Sequence, residues 1–390
     1  MIAAARERFN SAWSPAKYAG LLAHLRERCG EGPQFRHCET PCFFPAELIG
    51  RMARYGAEMV EQLLGNPRYI EESEQSIPAK WRVPHEAAAP LFVQADFGLD
   101  ANLEPRLVEI QGFPSLYFYQ PALAEAYRAA YGLEAGWSAL PGELSLPDYY
   151  RLMRETIVAG HDPETVVLTE VEPAAQKTRH DFLFTEREIG VRAIDIRGIA
   201  KRGNRLFYTR DGRETPVHRI YNRAIVDEME RRAIQLPFDF RDDLVVEWAG
   251  HPNWFFRLSK FSLPYLDHPA APAAQFLDRV GVVEHPERYV LKPLYSFAGA
   301  GVVVGPTAEQ IARVPAEQRS GYLLQERVDF RPVIQTPAGV DKVEVRIMYV
   351  WRDGLRAVNT IIRMGRGAQM GVDFNKGMDW VGASAGFIAA

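Results

Sequence analysis

A chain of 390 residues has room for two or three domains, and its 47% apolar and 25% charged residues are the proportions of an ordinary soluble globular protein. With 46 basic against 50 acidic residues the net charge is −4, which carries neither a nucleic-acid footprint nor a polybasic membrane patch. No run approaches the ~20 apolar residues of a membrane span, and the start, Met1-Ile-Ala-Ala-Ala-Arg-Glu-Arg, is not a secretory signal.

Residues 1 to about 65 are expected to be helical: Tyr18, Leu21, Leu22 and Leu25 recur at helical spacing, and 46–64 is a second amphipathic run beyond Pro41 and Pro45. The three cysteines, Cys29, Cys38 and Cys42, lie here. An odd, low count argues against a disulfide framework and for a reducing cytoplasm. His37-Cys38-x-x-x-Cys42 lacks a second ligand pair, so no zinc site is expected. From Pro90 the pattern changes. Residues 91–97 and 106–112 are strand candidates flanking a turn at 100–105, which predicts a β-hairpin. Asp96 ends one arm, and alternation puts Glu109 and Gln111 on one face of the other. Their oxygens suit a hard cation such as Mg²⁺ bridging phosphates, or else form the solvated face of an amphipathic hairpin.

Residues 123–152 are helical and broken by prolines. A strand at 165–171, a helix from Thr178 and a strand at 191–196 make a small α/β lobe with parallel strands. A hairpin turning at 201–204 and a strand at 217–221 complete it. No Gly-x-Gly-x-x-Gly follows its first strand, so a dinucleotide role has little support. Further on, Tyr289-Val-Leu-Lys292 is a short strand ending in a lysine. Gly299 and Gly301 flank Ala300, and Val302-Val-Val304 is a second strand. Such a hairpin either closes over a phosphate chain, with glycine N–H groups as donors and Lys292 as a point charge, or is an ordinary glycine-tipped hairpin. No Gly-Lys-Ser/Thr and no helix follow, so it is not the helix-opening phosphate loop. Thr307 caps a helix, 322–328 is a strand, and 343–351 and 357–363 form a last hairpin around Arg352-Asp-Gly354.

The order of these parts resembles the ATP-grasp ligases. Lys260 opens a helix, Lys292 ends a strand before a small-residue loop, and then come Gln325-Glu326, Glu344-x-Arg346, Arg363 and Asn375. Those enzymes end on two acidic Mg²⁺ positions, the second in Glu-x-Asn. Here Asp96 and Glu109-Ile-Gln111 supply that pattern near the N-terminus, as in a circular permutation. The chain is similar in this to the synthetase domain of glutathionylspermidine and trypanothione synthetases. Glu109-Ile-Gln-Gly-Phe-Pro-Ser115, Ser259-Lys260-Phe-Ser-Leu-Pro264 and Lys292-Pro-Leu-Tyr-Ser-Phe-Ala-Gly299 carry the local likeness. Gln111 stands where the family has asparagine, and Gln94 where it has an arginine.

The resemblance implies an α/β, circularly permuted ATP-grasp fold with ATP held between two lobes beside a small Rossmann-like lobe. The implied division is 1–160 (helices plus the permuted hairpin), 161–250 (small α/β lobe), 251–330 (nucleotide lid) and 331–390 (last β lobe). It also implies a cytoplasmic ligase that joins a small-molecule or peptide carboxylate to an amine through an acylphosphate, releasing ADP and phosphate. On that resemblance Lys260 and Lys292 meet the α/β-phosphates, and Ser296, Ala298, Gly299, Ala300 and Gly301 form the lid. Gln325, Glu326, Arg327 and Val328 line the adenine, and Asp96, Glu109 and Gln111 hold Mg²⁺. Arg346, Arg363 and Asn375 stabilise the transferring phosphoryl group or the oxyanion, while Ser115, Asn222 and Arg223 are candidates for the acyl substrate. A phosphotransferase, or a nucleotide-binding protein without turnover, are the other readings of the same residues.

Overall fold

The computed structural model describes residues 1–390 except 33, 135, 143, 297–298, 368–369, 371–374, 376 and 390. In chain order the N-terminal part holds α1 (Ala3–Ala12), α2 (Pro15–Cys29), β1 (Cys42–Phe44), α3 (Ala46–Leu64) and α4 (Pro67–Gln75). A hairpin, β2 (Phe92–Leu99) and β3 (Pro105–Gln111), follows, then α5 (Tyr119–Tyr131), β4 (Trp137–Ser138) and α6 (Leu146–Val158). The middle contains β5 (Val166–Glu170), α7 (Arg179–Ile189), β6 (Arg192–Asp195), β7 (Ala200–Arg202), β8 (Arg205–Arg210), β9 (Arg213–Val217), β10 (Arg219–Asn222), α8 (Val226–Arg231) and β11 (Glu247–Ala249). The last part runs through α9 (Trp254–Arg257), β12 (Ala274–Phe276), β13 (Tyr289–Pro293), β14 (Val303–Val304), α10 (Ala308–Ala312) and β15 (Tyr322–Glu326). It ends with β16 (Ile334–Thr336), β17 (Gly339–Trp351), β18 (Leu355–Gly365), β19 (Gly382–Ser384) and β20 (Gly386–Ala389).

Three of the sheets position the site. The largest has the order β19-β18-β17-β2-β3, with β16 paired to one end of β17, and all its pairs are antiparallel. The hairpin from the first third of the chain thus completes a sheet of C-terminal strands. A parallel sheet, β11-β10-β5-β6, forms the α/β lobe. A third, β12-β15-β13-β14, carries the glycine hairpin. The expected hairpins and the parallel pairing of β5 with β6 are all present. Val217, expected to open β10, instead closes the antiparallel β8–β9 pair, and β10 starts at Arg219 after His218. The strands β1, β19 and β20 were not foreseen: β20 lies parallel to β1, Cys42 opposite Gly386. Cys29, Cys38 and Cys42 are free and buried, so they serve as core side chains. No helix among the described residues is long and apolar enough to cross a membrane.

Alternation in the largest sheet separates two environments. Val93, Ala95 and Phe97 of β2, Val345 and Ile347 of β17 and Ile362 of β18 all point to one face, where they are fully buried. The apolar stripe of α3 (Ile49, Met52, Met59, Val60, Leu63) covers them. Contact is closest at Gly56. A Cβ there would collide with the Tyr349 hydroxyl and lie 3.3 Å from Ala95 Cβ. That hydroxyl donates to the Ala53 carbonyl at 2.9 Å, so it cannot swing aside without losing its acceptor.

Gly56→Ala is therefore expected to lower unfolding stability by about 1–3 kcal/mol through overpacking. In chemical denaturation, the double variant with Tyr349→Phe should lose less than the two single changes summed, because the colliding oxygen is gone. Strict additivity would refute the contact.

Candidate active site

The other face of the same sheet is polar, and its residues meet by register. Asp96 on β2 lies opposite both Glu109 on β3 and Arg346 on β17, Gln94 opposite Gln111, and Glu344 opposite Arg363 on β18. Arg346 grips Asp96 with both arms of its guanidinium, Nε to Oδ1 and Nη2 to Oδ2 at 2.6 Å, and donates from Nη1 to Gln94 Oε1 at 2.9 Å. With its amide set oxygen-first, Gln111 also accepts from Arg346, at 2.7 Å from Nη2 and 3.0 Å from Nη1. Arg363 donates from Nη1 to Asp96 Oδ2 at 3.2 Å and to Glu344 Oε1.

Burial opposes charge here, and proximity decides which way Asp96, Glu344 and Arg363 move. Burial alone would raise Asp96, but the two guanidiniums outweigh it and hold its carboxyl below the usual range. Glu344, where burial dominates over Arg363, is raised. Arg363 is pushed down by burial but raised overall by Glu344 and Asp96.

These residues form one wall of a cleft of about 910 Å³, toward the upper end of the ~300–1,000 Å³ of ordinary ligand sites. Lys292, on β13, forms a second wall. It is 5% exposed and donates to the Val108 carbonyl at 2.8 Å and Gln325 Oε1 at 2.6 Å. It makes no ion pair among the described residues. Desolvation lowers its pKa to about 8, with Glu109 pulling the other way and Lys260 adding to the fall. Lys260 opens a 3₁₀ turn rather than an α-helix, capped by Ser259, whose Oγ accepts from the Phe261 N–H at 3.2 Å. Its ammonium donates to the Ser296 carbonyl at 2.6 Å and stands 3.6 Å from Glu109.

The lid residues divide. Ser296 and Gly299 line the cleft, whereas Ala300 and Gly301 are exposed at the tip. Gly299 and Gly301 have φ of 75° and 72°, and a Cβ on Gly301 would lie 2.8 Å from Pro293 Cγ, so the turn needs glycine there. Ala298 lies outside the described residues. Gln325, Glu326, Arg327 and Val328 all line the cleft, although the N–H groups of Glu326 and Arg327 already donate to Ala273 and Arg288.

Asp96 and Gln111, assigned to Mg²⁺, are turned onto Arg346. Among the described residues no group of three or more His, Cys, Asp or Glu could hold a metal ion. Glu109 is the one carboxylate of the set held only loosely, 3.6 Å from Lys260 and 3.7 Å from Arg346. Asn375, assigned to phosphate or oxyanion, is 1% exposed. Its Oδ1 accepts the N–H of Arg366 at 3.1 Å and of Gly367 at 3.3 Å, and it is not part of the cleft wall. Of the acyl-substrate candidates, Ser115 and Arg223 line the cleft; Asn222 instead bonds Thr169 and Ala224. Sequence reasoning missed Glu170 and Gln120, both buried in the cleft wall. An acid closing the apolar run Val166-Val-Leu-Thr-Glu170 was the available signal.

No family model matches this sequence, and no curated protein matches it. Among solved structures, the fold is similar to that of a glutathione synthetase-like effector from Globodera pallida in its apo form. The TM-score is 0.59, the identity 10%, and the match covers 97% of this chain and 98% of that one. The likeness is one of fold: a mixed α/β chain of several sheets built distantly like a glutathione synthetase.

Proposed function

We propose that the protein is an ATP-dependent carboxylate–amine ligase of circularly permuted ATP-grasp build. The observation that carries this is Lys292, a buried ammonium with no carboxylate partner among the described residues. It lies in a cleft wall shared with Lys260, Arg346 and Arg363. Four cations face three carboxylates, Asp96, Glu109 and Glu344, so the wall has charge left over for a polyanion. The buried Ser296 Oγ and Gln325 Nε2, without partners among the described residues and beside the two lysines, fit the same ligand. The fold likeness to a glutathione synthetase-like protein supports the ligase class, and the β2–β3 hairpin joining C-terminal strands supports the permutation.

Bound ATP would supply the phosphoryl group that turns a carboxylate into an acylphosphate, leaving ADP; an amine would then displace phosphate from the acyl carbon to give the amide. The chain's residues position and neutralise. Lys260 and Lys292 offset phosphate charge. Gln325 to Val328 border the base, and Ser296 and Gly299 border the phosphate chain. Arg346 and Arg363, fixed by Asp96 and Glu344, present guanidiniums at the point of transfer. Arg346 also bonds Gln94, so a cation reaches the position where the related synthetases carry arginine. For Mg²⁺, the donor set fits an ion that arrives on the triphosphate and gains Glu109, not one resident on Asp96. Mg²⁺ commonly takes one or two carboxylates plus phosphates.

Coupled ADP release with Mg·ATP and pooled carboxylates and amines is expected to need one of each, and to fall about a hundredfold in Lys292→Ala. Release that needs a single substrate would make the protein a phosphotransferase. AMP with pyrophosphate would exclude an acylphosphate. A second expectation concerns pH. Lys292 is already charged below about 8, but above it the lysine must take up a proton to meet phosphate, against desolvation and Lys260 and with only partial help from Glu109, Glu344 and Asp96. ATP affinity measured in EDTA should be flat below pH 8 and fall by up to about tenfold per unit above it. In Lys292→Arg the fall should vanish, because arginine stays charged. A fall that persists unchanged would place the titrating group elsewhere.

A further inference from the structure

Away from the phosphate end, the cleft is bounded by the carboxyl ends of the parallel strands β5 and β10, the place where open parallel sheets offer a crevice to ligands. Register puts Thr169 beside Asn222, so Glu170 and Arg223 follow side by side, and the Arg223 N–H donates to the Thr169 carbonyl at 2.9 Å. These opposite charges form no ion pair with each other. Arg223, 3% exposed, gives Nη1 to Asp181 at 2.8 Å and lies over the rings of Phe113 and Phe182, while its Nε has no partner among the described residues. Asp181 in turn accepts the N–H groups of Leu116, Phe118 and Tyr119, which ties Arg223 to the start of α5. On that helix the Nε2 of Gln120, also 3% exposed, has no partner among the described residues.

Glu170 accepts one hydrogen bond among the described residues, from the Val171 N–H at 2.8 Å. Burial raises it to about 8 against the pull of Arg223, with Glu228 and Asp195 adding to the rise. Its charge therefore lacks compensation that a cationic ligand group would supply. The wall thus offers one undercompensated carboxyl, which a ligand cation would ionise, beside one guanidinium with spare donors. A polyamine would find one carboxyl in this wall and be repelled by Arg223. A simple carboxylate would leave Glu170 without a cation. A molecule with both groups on one carbon satisfies both.

We propose that the carboxyl ends of β5 and β10 bind a free α-amino acid as the amine substrate, its ammonium on Glu170 and its carboxylate on Arg223 and Gln120. This rests on the ligase reading for the role of the amine, but the binding itself is separately measurable. Ligand-observed NMR on the full chain, without nucleotide, would use the free L-amino acids, their N-acetyl and amide derivatives, and spermidine. At least one free amino acid should bind, its two derivatives about tenfold or more weaker, and spermidine not at all. Glu170→Gln, close in shape and lacking the charge, should lose about tenfold, and Gln120→Met should weaken binding with the melting temperature kept. Lys292→Ala should bind the amino acid as the wild type does. Equal signals from the derivatives, Glu170-dependent binding of spermidine, or indifference to both substitutions would overturn the proposal. Glu170-dependent amino-acid binding without ADP release under any acid would sustain the site and remove the ligase. Amine-dependent ADP release indifferent to Glu170→Gln would do the reverse.

Discussion

Asp96 and Arg346 are 250 positions apart in sequence and joined by a two-armed ion pair at the centre of the largest sheet. A carboxylate 1% exposed cannot be left without its partner: breaking such a pair costs roughly 3–5 kcal/mol. The pair therefore pins the register of β2 against β17. A slip of one residue would carry Asp96 into the apolar layer under α3 and bring Ala95 or Phe97 to the cleft. The same pairing aligns Gln94, Glu109 and Gln111 with Arg346, so the geometry of the polar wall follows from one contact. Burial gives the lock its strength, and the network around it supplies the hydrogen bonds that keep burial tolerable.

The lock also explains why the cleft is electropositive where it faces Lys292. Asp96 is consumed by two arginines and Glu344 by Arg363, so little anionic character is left to meet the lysine, which donates instead to a carbonyl and an amide. A buried ammonium held this way is a poorly solvated charge, and its lowered pKa measures that deficit. The same logic, with the sign reversed, holds for Glu170 at the other end of the cleft. Two undercompensated charges of opposite sign lie along one cavity, each turned toward space that a ligand would fill.

Much of this architecture was legible in the sequence where a short segment determines its own state. The β2–β3 hairpin announced itself by alternation and an Asp-Ala-Asn turn, and β17–β18 by long alternating runs around Asp353-Gly354. The lysine ending β13 and the glycine pair after it located one wall of the cleft. What could not be read depended on partners far away. Strands as short as β1, β19 and β20 owe their state to each other and to β18, and a segment of three or four residues carries no period of its own. Gln111 and Asp96 looked like free oxygen ligands because nothing local reveals that a guanidinium from β17 lies opposite. Asn375 is similar: its amide oxygen accepts from the turn after β18, which nothing in its own segment reveals. Glu170 and Gln120 sit in apolar-looking segments and become conspicuous only when the strand ends converge.

The hairpin that completes the C-terminal sheet sets a schedule for biogenesis. On a ribosome adding about 5–20 residues per second, β3 is finished roughly ten to fifty seconds before β17 is complete. Throughout that interval β2 offers an unpaired edge, a fully buried strand's worth of apolar side chains, and a carboxylate without its guanidinium. The parallel strand β20 arrives later still to seal β1. Until β17 emerges that edge is open to association with another chain, and pairing it closes a long loop, a slow kind of step.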